Sequence, residues 1–198
     1  MAYFTKAEAR AAAAQAHSVR RRAGKSFDTI LREEARLRAV APAFDVFLSH
    51  SINDAELVLG VKALLEIQSL RVYVDWAEDP CLDRGRVTKE TAAFLRQRMR
   101  QSKSLIFLAS ENSTASKWMP WEVGYFDGFN PGCVAVMPLL DNANEYFVGQ
   151  EYLGLYPLVT KSQYPSGTTD VFVEERGVKW STLRSFGRGM PEGYAYQR

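Results

Sequence analysis

Residues 116–128, SKWMPWEVGYFDG, set one carboxylate, Glu122, among tryptophans, Trp118 and Trp121, with Tyr125 and Phe126 read as core. A lone acid in such company, at the mouth of an α/β sheet, suggests glycosidic chemistry. Pro120 lacks an N–H and is tolerated only in the first turn of a helix, so a helix is expected to begin within a few residues of Trp118. Glu122 then falls in or near that turn, with Trp118 beside it one helical turn earlier. The positive end of the helix favours an ionised carboxylate there, whereas neighbouring rings desolvate it and favour the neutral acid. Sequence leaves that balance open.

Other chemistries are excluded by inspection. There is no GxxxxGK[ST] phosphate loop, no GxGxxG and no HExxH. His17 and His50 are the sole histidines. Ser49 precedes His50, but neighbours on an extended segment point to opposite sides, which argues against a nucleophile and base pair. A phosphate-receiver site needs acids at the end of the first strand, and Asp45 stands at its beginning. Cys81 and Cys133 have no zinc-ligand spacing and form no disulfide framework; Cys133 opens an apolar run and reads as core. No metal is implied.

The elements that must position these residues follow from the hydrophobic periodicity. Thr5 and Glu8 have capping-box spacing before an alanine-rich run, which predicts a helix over 6–17. Residues 20–24 then break it. Phe27, Ile30, Leu31 and Leu37 recur at near-helical spacing and predict a second amphipathic helix, ended by Ala41 and Pro42. From residue 44 strands and helices alternate. Strands are expected at 44–48, 71–74, 105–109 and 134–140, with a weaker one at 155–160. Asn53 or Asp54 caps a helix with Leu57, Val61, Leu64 and Leu65 on one face. Thr88 caps another, with Ala92, Leu95 and Met99 inward and Arg96, Arg98 and Arg100 outward. Past residue 161 a short strand is expected at 171–173 and a helix anchored by Trp180, Leu183 and Phe186.

Strands nearly continuous in Val, Ile, Leu and Phe, separated by amphipathic helices, imply a parallel sheet covered on both faces. The expected fold class is α/β, a flavodoxin-like doubly wound parallel sheet of about five strands with an N-terminal helical extension. The expected division is a helical extension over 1–42, a main domain over 43–161 and a C-terminal extension over 162–198. Ligands of such sheets bind beyond the carboxyl ends of the strands, where loops 49–53, 75–86 and 110–122 converge. The 198 residues, 46% hydrophobic, suffice for one domain with terminal additions. A formal net charge of +2 is too small to argue for nucleic acid. The cations of the first forty residues read as a solvated helical face. No run of about 18 apolar residues argues for a membrane span, so a cytoplasmic protein is expected.

Four stretches in this order and spacing resemble a Toll/interleukin-1 receptor (TIR) domain of the bacterial, NAD-cleaving branch: FDVFLSHS from Phe44, VYVDW from Val72, SKSLIFLAS from Ser102, and the Trp118 and Glu122 pair. The resemblance covers about residues 44–160. It is similar to the TIR components of anti-phage defence systems such as Thoeris. It implies cleavage of the nicotinamide–ribose bond of NAD+ by hydrolysis, cyclisation or transfer, with NAD+ as substrate and no further cofactor. Nicotinamide departs neutral and needs no general acid, so one carboxylate suffices to stabilise an oxocarbenium-like transition state. By the family's motif Glu122 is that carboxylate and Trp118 helps form the ribose and nicotinamide pocket.

The resemblance also assigns Ser49, His50 and Ser51 to a nucleotide-side loop, and residues 75–86 to the mobile BB loop. There Asp75 contacts ribose or caps the loop, Trp76 stacks on a base, and Arg84 or Arg86 meets a phosphate. Plainer readings stand beside these: Trp121 and Trp118 as core anchors, Glu122 as a helix-start acid, His50 as a turn residue bonded to backbone. The family implies self-association through TIR surfaces, including the BB loop, and a downstream effector. The alternatives are a scaffold that signals by TIR to TIR association alone, and a nucleoside deoxyribosyltransferase-like enzyme.

Overall fold

The computed structural model describes residues 2–38, 43–75, 88–164, 166–175, 178–190 and 194–195. Its centre is a parallel sheet of β2 (Phe44–Ser49), β3 (Val72–Tyr73), β4 (Ser102–Ala109), β5 (Val134–Leu140) and β6 (Leu158–Gln163), ordered β3-β2-β4-β5-β6. That order is the flavodoxin-like one expected from the alternating pattern, and it reverses direction between β2 and β4. The register there pairs Val46 with Ser104 and Ser49 with Phe107.

Period-2 alternation sorts the strand side chains between two layers. Val46, Leu48, Ile106, Leu108, Ala135 and Met137 face α1 (Lys6–Ala16) and α4 (Ala55–Ile67). Phe47, Leu105, Phe107, Val134 and Val136 face α5 (Lys89–Arg100) and α6 (Trp118–Phe129). These runs are apolar on both faces because both are covered.

Several local signals act as expected. Thr5 Oγ1 accepts from the Glu8 N–H at 3.1 Å while Glu8 Oε2 accepts from the Thr5 N–H at 2.8 Å, the capping box of α1. Thr88 caps α5 by accepting from the Thr91 N–H at 3.1 Å, and Leu95 and Met99 of α5 are fully buried. Arg98 departs from expectation. It is buried rather than outward, with its guanidinium over the Phe94 ring at 4.8 Å and the Tyr73 ring at 5.6 Å. A planar, weakly hydrated cation can lie on aromatic faces, which period alone does not reveal.

The N-terminal segment departs further. Residues 20–24 do not simply break the first helix: after a bend at His17 the chain re-enters α2 (Ser18–Arg22), and Gly24, at φ +79°, ends it. α3 (Phe27–Arg38) follows, with Ile30 and Leu31 fully buried, while residues 39–42 and the Leu37 side chain lie outside the described residues. Before α1 stands β1 (Phe4–Thr5), which pairs parallel with β5 at Leu139 and Leu140, while Ala2 bridges Lys161 of β6 antiparallel. The first residues are thus knitted into the carboxyl end of the sheet.

Beyond β6 the sheet continues antiparallel through β7 (Thr169–Glu175), β8 (Lys179–Thr182) and β9 (Tyr194–Ala195). Trp180, expected on a helix, lies in β8 opposite Glu174; only α7 (Leu183–Gly187) is helical there. Thr182 caps α7 by accepting from the Ser185 N–H at 3.2 Å, so the chain turns helical one residue after the ladder ends.

Candidate active site

α6 places Glu122. Ser116 Oγ accepts from the Met119 N–H at 3.3 Å, Pro120 occupies the third helical position, and Glu122 is the fifth residue of the helix. It therefore stands one turn in. Its side chain points inward and is fully buried, unlike a solvated helix-start acid. Ser49, the last residue of β2, donates from Oγ to Glu122 Oε2 at 2.5 Å. A buried carboxylate requires such donors to offset the loss of water. The contact joins α6 to the carboxyl end of the central strand, at the point where strand order reverses.

Trp118 is 7% exposed and meets Trp121 edge-on, with ring centres 5.4 Å apart. Trp121 is half-buried and packs against the core beneath α6: it stacks on Tyr125 at 5.6 Å, and the Arg96 guanidinium lies 5.9 Å from its ring. Tyr125 in turn meets Phe129. The aromatic row runs along α6 from the buried Trp118 to the surface.

The loop after β2 is packed, not open. His50 is fully buried and its Nδ1 donates to the Leu48 carbonyl at 2.8 Å, the turn arrangement of its plainer reading. Ser51 is 4% exposed and accepts from the Asn53 N–H at 3.3 Å. Asp75 is buried two residues beyond Tyr73, whose register partner is Phe47, so it stands level with Ser49 at the neighbouring strand end. Trp76, Arg84, Arg86 and Cys81, with the rest of segment 76–87, lie outside the described residues. The structure thus brings Ser49 and Glu122 into contact, sets Trp118 on the same helix and Asp75 at the same sheet edge, and packs His50 and Ser51 into the turn.

Sequence reasoning missed the groups that tie these loops together. Asp54 precedes α4 but makes no side-chain cap; it accepts instead from Ser110 Oγ at 2.5 Å and from Asn112 Nδ2 at 2.6 Å. The loop after β4, which leads into α6, is thereby fixed to the loop after β2. Lys6, read as a solvated cation, has a side chain only 12% exposed and pairs with Glu111 and with Asp141, whose Oδ1 is 3.3 Å away. The Glu111 contact holds its ammonium pKa above the ordinary lysine value. Lys6, Ser110, Glu111, Asp141, Phe147 and Leu153 help line a cavity of about 590 Å³ past the ends of β4 and β5. Only the ladder that delivers Lys6 to that place could have revealed it, and that ladder is long-range.

Comparison with known proteins gives the same assignment by an independent route. The family model described as "TIR domain" matches residues 46–154. The chain is 52% identical over 128 residues to a "Probable 3' cyclic ADP-D-ribose synthase ThsB'" of Bacillus cereus (strain MSX-D12), covering 64% of this chain and 66% of that relative. It is 31% identical over 99 residues to a "Putative cyclic ADP-D-ribose synthase TIR2" of Cytobacillus dafuensis, covering 50% of this chain and 26% of the relative. The flavodoxin-like strand order, the Trp118 and Glu122 pair on the helix after β4, and a family match running from β2 to the approach of β6 converge: the chain belongs to the TIR domain family.

Proposed function

We propose that this protein cleaves the nicotinamide–ribose bond of NAD+ and converts the ADP-ribosyl moiety into a cyclic ADP-ribose-type signal in anti-phage defence. The observation that carries the reading is Glu122, a fully buried carboxylate held by Ser49 where the sheet reverses direction. The names of both relatives support the substrate and product class.

In the reaction the bond between the anomeric carbon and the pyridine nitrogen breaks, and its electron pair leaves with neutral nicotinamide. Positive charge develops on the ribose, and the Glu122 carboxylate stabilises it electrostatically. Trp118 forms one wall beside it and excludes water. The new bond forms between the anomeric carbon and a nucleophile, which is a group of the same ADP-ribose in cyclisation and water in hydrolysis; the nucleophile's proton is released. Self-association through TIR surfaces, with residues 75–86 as the BB loop, completes the site, and the product passes to a downstream effector.

Purified protein incubated at high concentration with NAD+ is expected to release nicotinamide, followed by chromatography, with the product's mass identifying cyclisation or hydrolysis. Glu122→Gln keeps the shape and removes the charge, and is expected to lower turnover by about 10²- to 10³-fold. Equal activity in the two proteins would remove Glu122 from the mechanism. Association without NAD+ turnover under any assembly condition would favour the scaffold reading.

A further inference from the structure

We propose that Ser49 is a positioning residue that fixes the Glu122 carboxylate from the β2 side, rather than a contact to substrate. The inference rests on Glu122 being the catalytic carboxylate. Asp45, Phe47 and Ser49 share one face of β2. Phe47 on that face is packed with Phe107, Trp118 and Met119 in the layer beneath α6. At the next position on that face the sequence places a hydroxyl against this apolar layer, and opposite it a carboxylate, both with no exposed surface. Packing alone disfavours this choice, because an apolar pair of similar volume fills the same space without desolvating a charge. A polar pair kept in such a place points to function.

The geometry assigns the role. Glu122 has three side-chain torsions, so its helix position alone does not fix where the carboxylate oxygens stand. Ser49 is short, and its backbone is held in a central strand by the ladder that pairs it with Phe107. Its Oγ lies 2.5 Å from Oε2, so the sheet supplies a fixed anchor for that carboxylate oxygen. A serine hydroxyl carries one proton, and here that proton is directed at Glu122. The same hydroxyl is then not available to donate to a diphosphate or a ribose.

Steady-state turnover of NAD+ by the full chain separates the two roles. Ser49→Ala is expected to lower kcat by roughly ten- to a hundredfold, the rate equivalent of one charge-assisted hydrogen bond, with KM changed less than about twofold. Ser49→Thr keeps the hydroxyl on a side chain suited to a strand and is expected to return most of that loss. A raised KM with unchanged kcat in Ser49→Ala would overturn the proposal in favour of a substrate contact, and unchanged kinetics would overturn it outright. A second measurement does not depend on catalysis. In urea unfolding, Ser49→Ala and Glu122→Leu combined are expected to destabilise less than the two single changes added together; additive losses would show that the side chains do not interact and would sink the proposal. If Glu122→Gln turns over NAD+ like the parent while the unfolding cycle still shows coupling, the catalytic reading of Glu122 fails and the contact stands.

Discussion

The residues of this protein divide by what their burial demands. Cys133 is a small apolar group in effect: 3% exposed at the start of β5, with burial pushing its thiol pKa above the ordinary cysteine value. A thiol kept in its protonated form and away from water is a poor nucleophile. In a Cys81→Ala background, Cys133 is therefore expected to react with a thiol reagent such as Ellman's reagent only at the pace of unfolding, and at once in denaturant; rapid reaction of the native protein would contradict its placement. That behaviour was legible from the apolar run it opens. The helix that carries Glu122 was legible too, because a proline is tolerated in a helix's first turn and so restricts where the helix begins. Arg98 and Asp54 were not. Arg98 lies on the Phe94 and Tyr73 rings, the latter on a distant strand, and Asp54 takes its donors from residues 110 and 112. Tyr73 and residues 110 and 112 are remote in sequence from the side chains they hold.

At the scale of elements, glycines in two helices have opposite meanings. Gly60 of α4 lies against α1: a Cβ built there falls 1.8 Å from the Ala9 carbonyl oxygen. Ala9 and Ala13 on the facing helix are fully buried, so the two backbones approach as closely as side chains allow. Gly60→Ala is expected to cost about 2 kcal/mol or more in chemical unfolding, because backbone rather than a flexible side chain must give way. Gly124 of α6 has no atom within 4 Å of such a Cβ. Gly124→Ala is expected to stabilise the protein by about 0.5–1 kcal/mol through helix propensity alone. A stabilising Gly60→Ala would mean that α1 does not dock as described. The helices themselves were visible in sequence: the capping box of α1, the Thr88 cap of α5 and the periodic apolar residues of α4 and α5 are local signals. What periodicity could not supply was which faces meet, since an alanine-rich helix has almost no apolar contrast around its circumference. Trp180 failed for a related reason. Its spacing to Leu183 and Phe186 suits a helix, but pairing with β7 holds it extended, a case of tertiary context overriding a weak local pattern.

At the scale of the whole molecule, the packing of α1 on α4 is joined by two further ties on the N-terminal segment, the short ladder at β1 and a charged cluster between the first helices and α4. Two-residue β1 offers no period to read, and its pairing with residues 139 and 140 joins distant parts of the chain, so nothing in residues 1–5 announces it. The cluster carries a pH dependence. Lys62 of α4 is 3% exposed and reaches Glu34 at 2.9 Å and Glu66 at 3.0 Å, and Arg20 of α2 reaches Glu34 at 2.7 Å. Burial raises the Glu34 carboxyl pKa, but Lys62 and Arg20 together outweigh it and hold it at about 2. The unfolded chain takes up that proton near pH 4.5, so the stabilisation is complete above 4.5 and is lost as pH falls toward about 2; its full size is on the order of 3 kcal/mol. His17 acts in the same direction at higher pH. Burial lowers its pKa, with Glu34 opposing in part, so from about pH 6.5 downward the unfolded chain binds a proton more readily than the folded one. Acidification is thus expected to loosen the N-terminal helices in two stages, seen as faster amide exchange in residues 6–34 before the central sheet exchanges. Glu34→Gln removes the carboxyl that Lys62 and Arg20 share; it is expected to lower stability at neutral pH and to flatten the stage below pH 4.5, leaving the histidine stage in place. Parallel curves for the parent and Glu34→Gln below pH 4.5 would show that the cluster does not govern how the N-terminal helices are held.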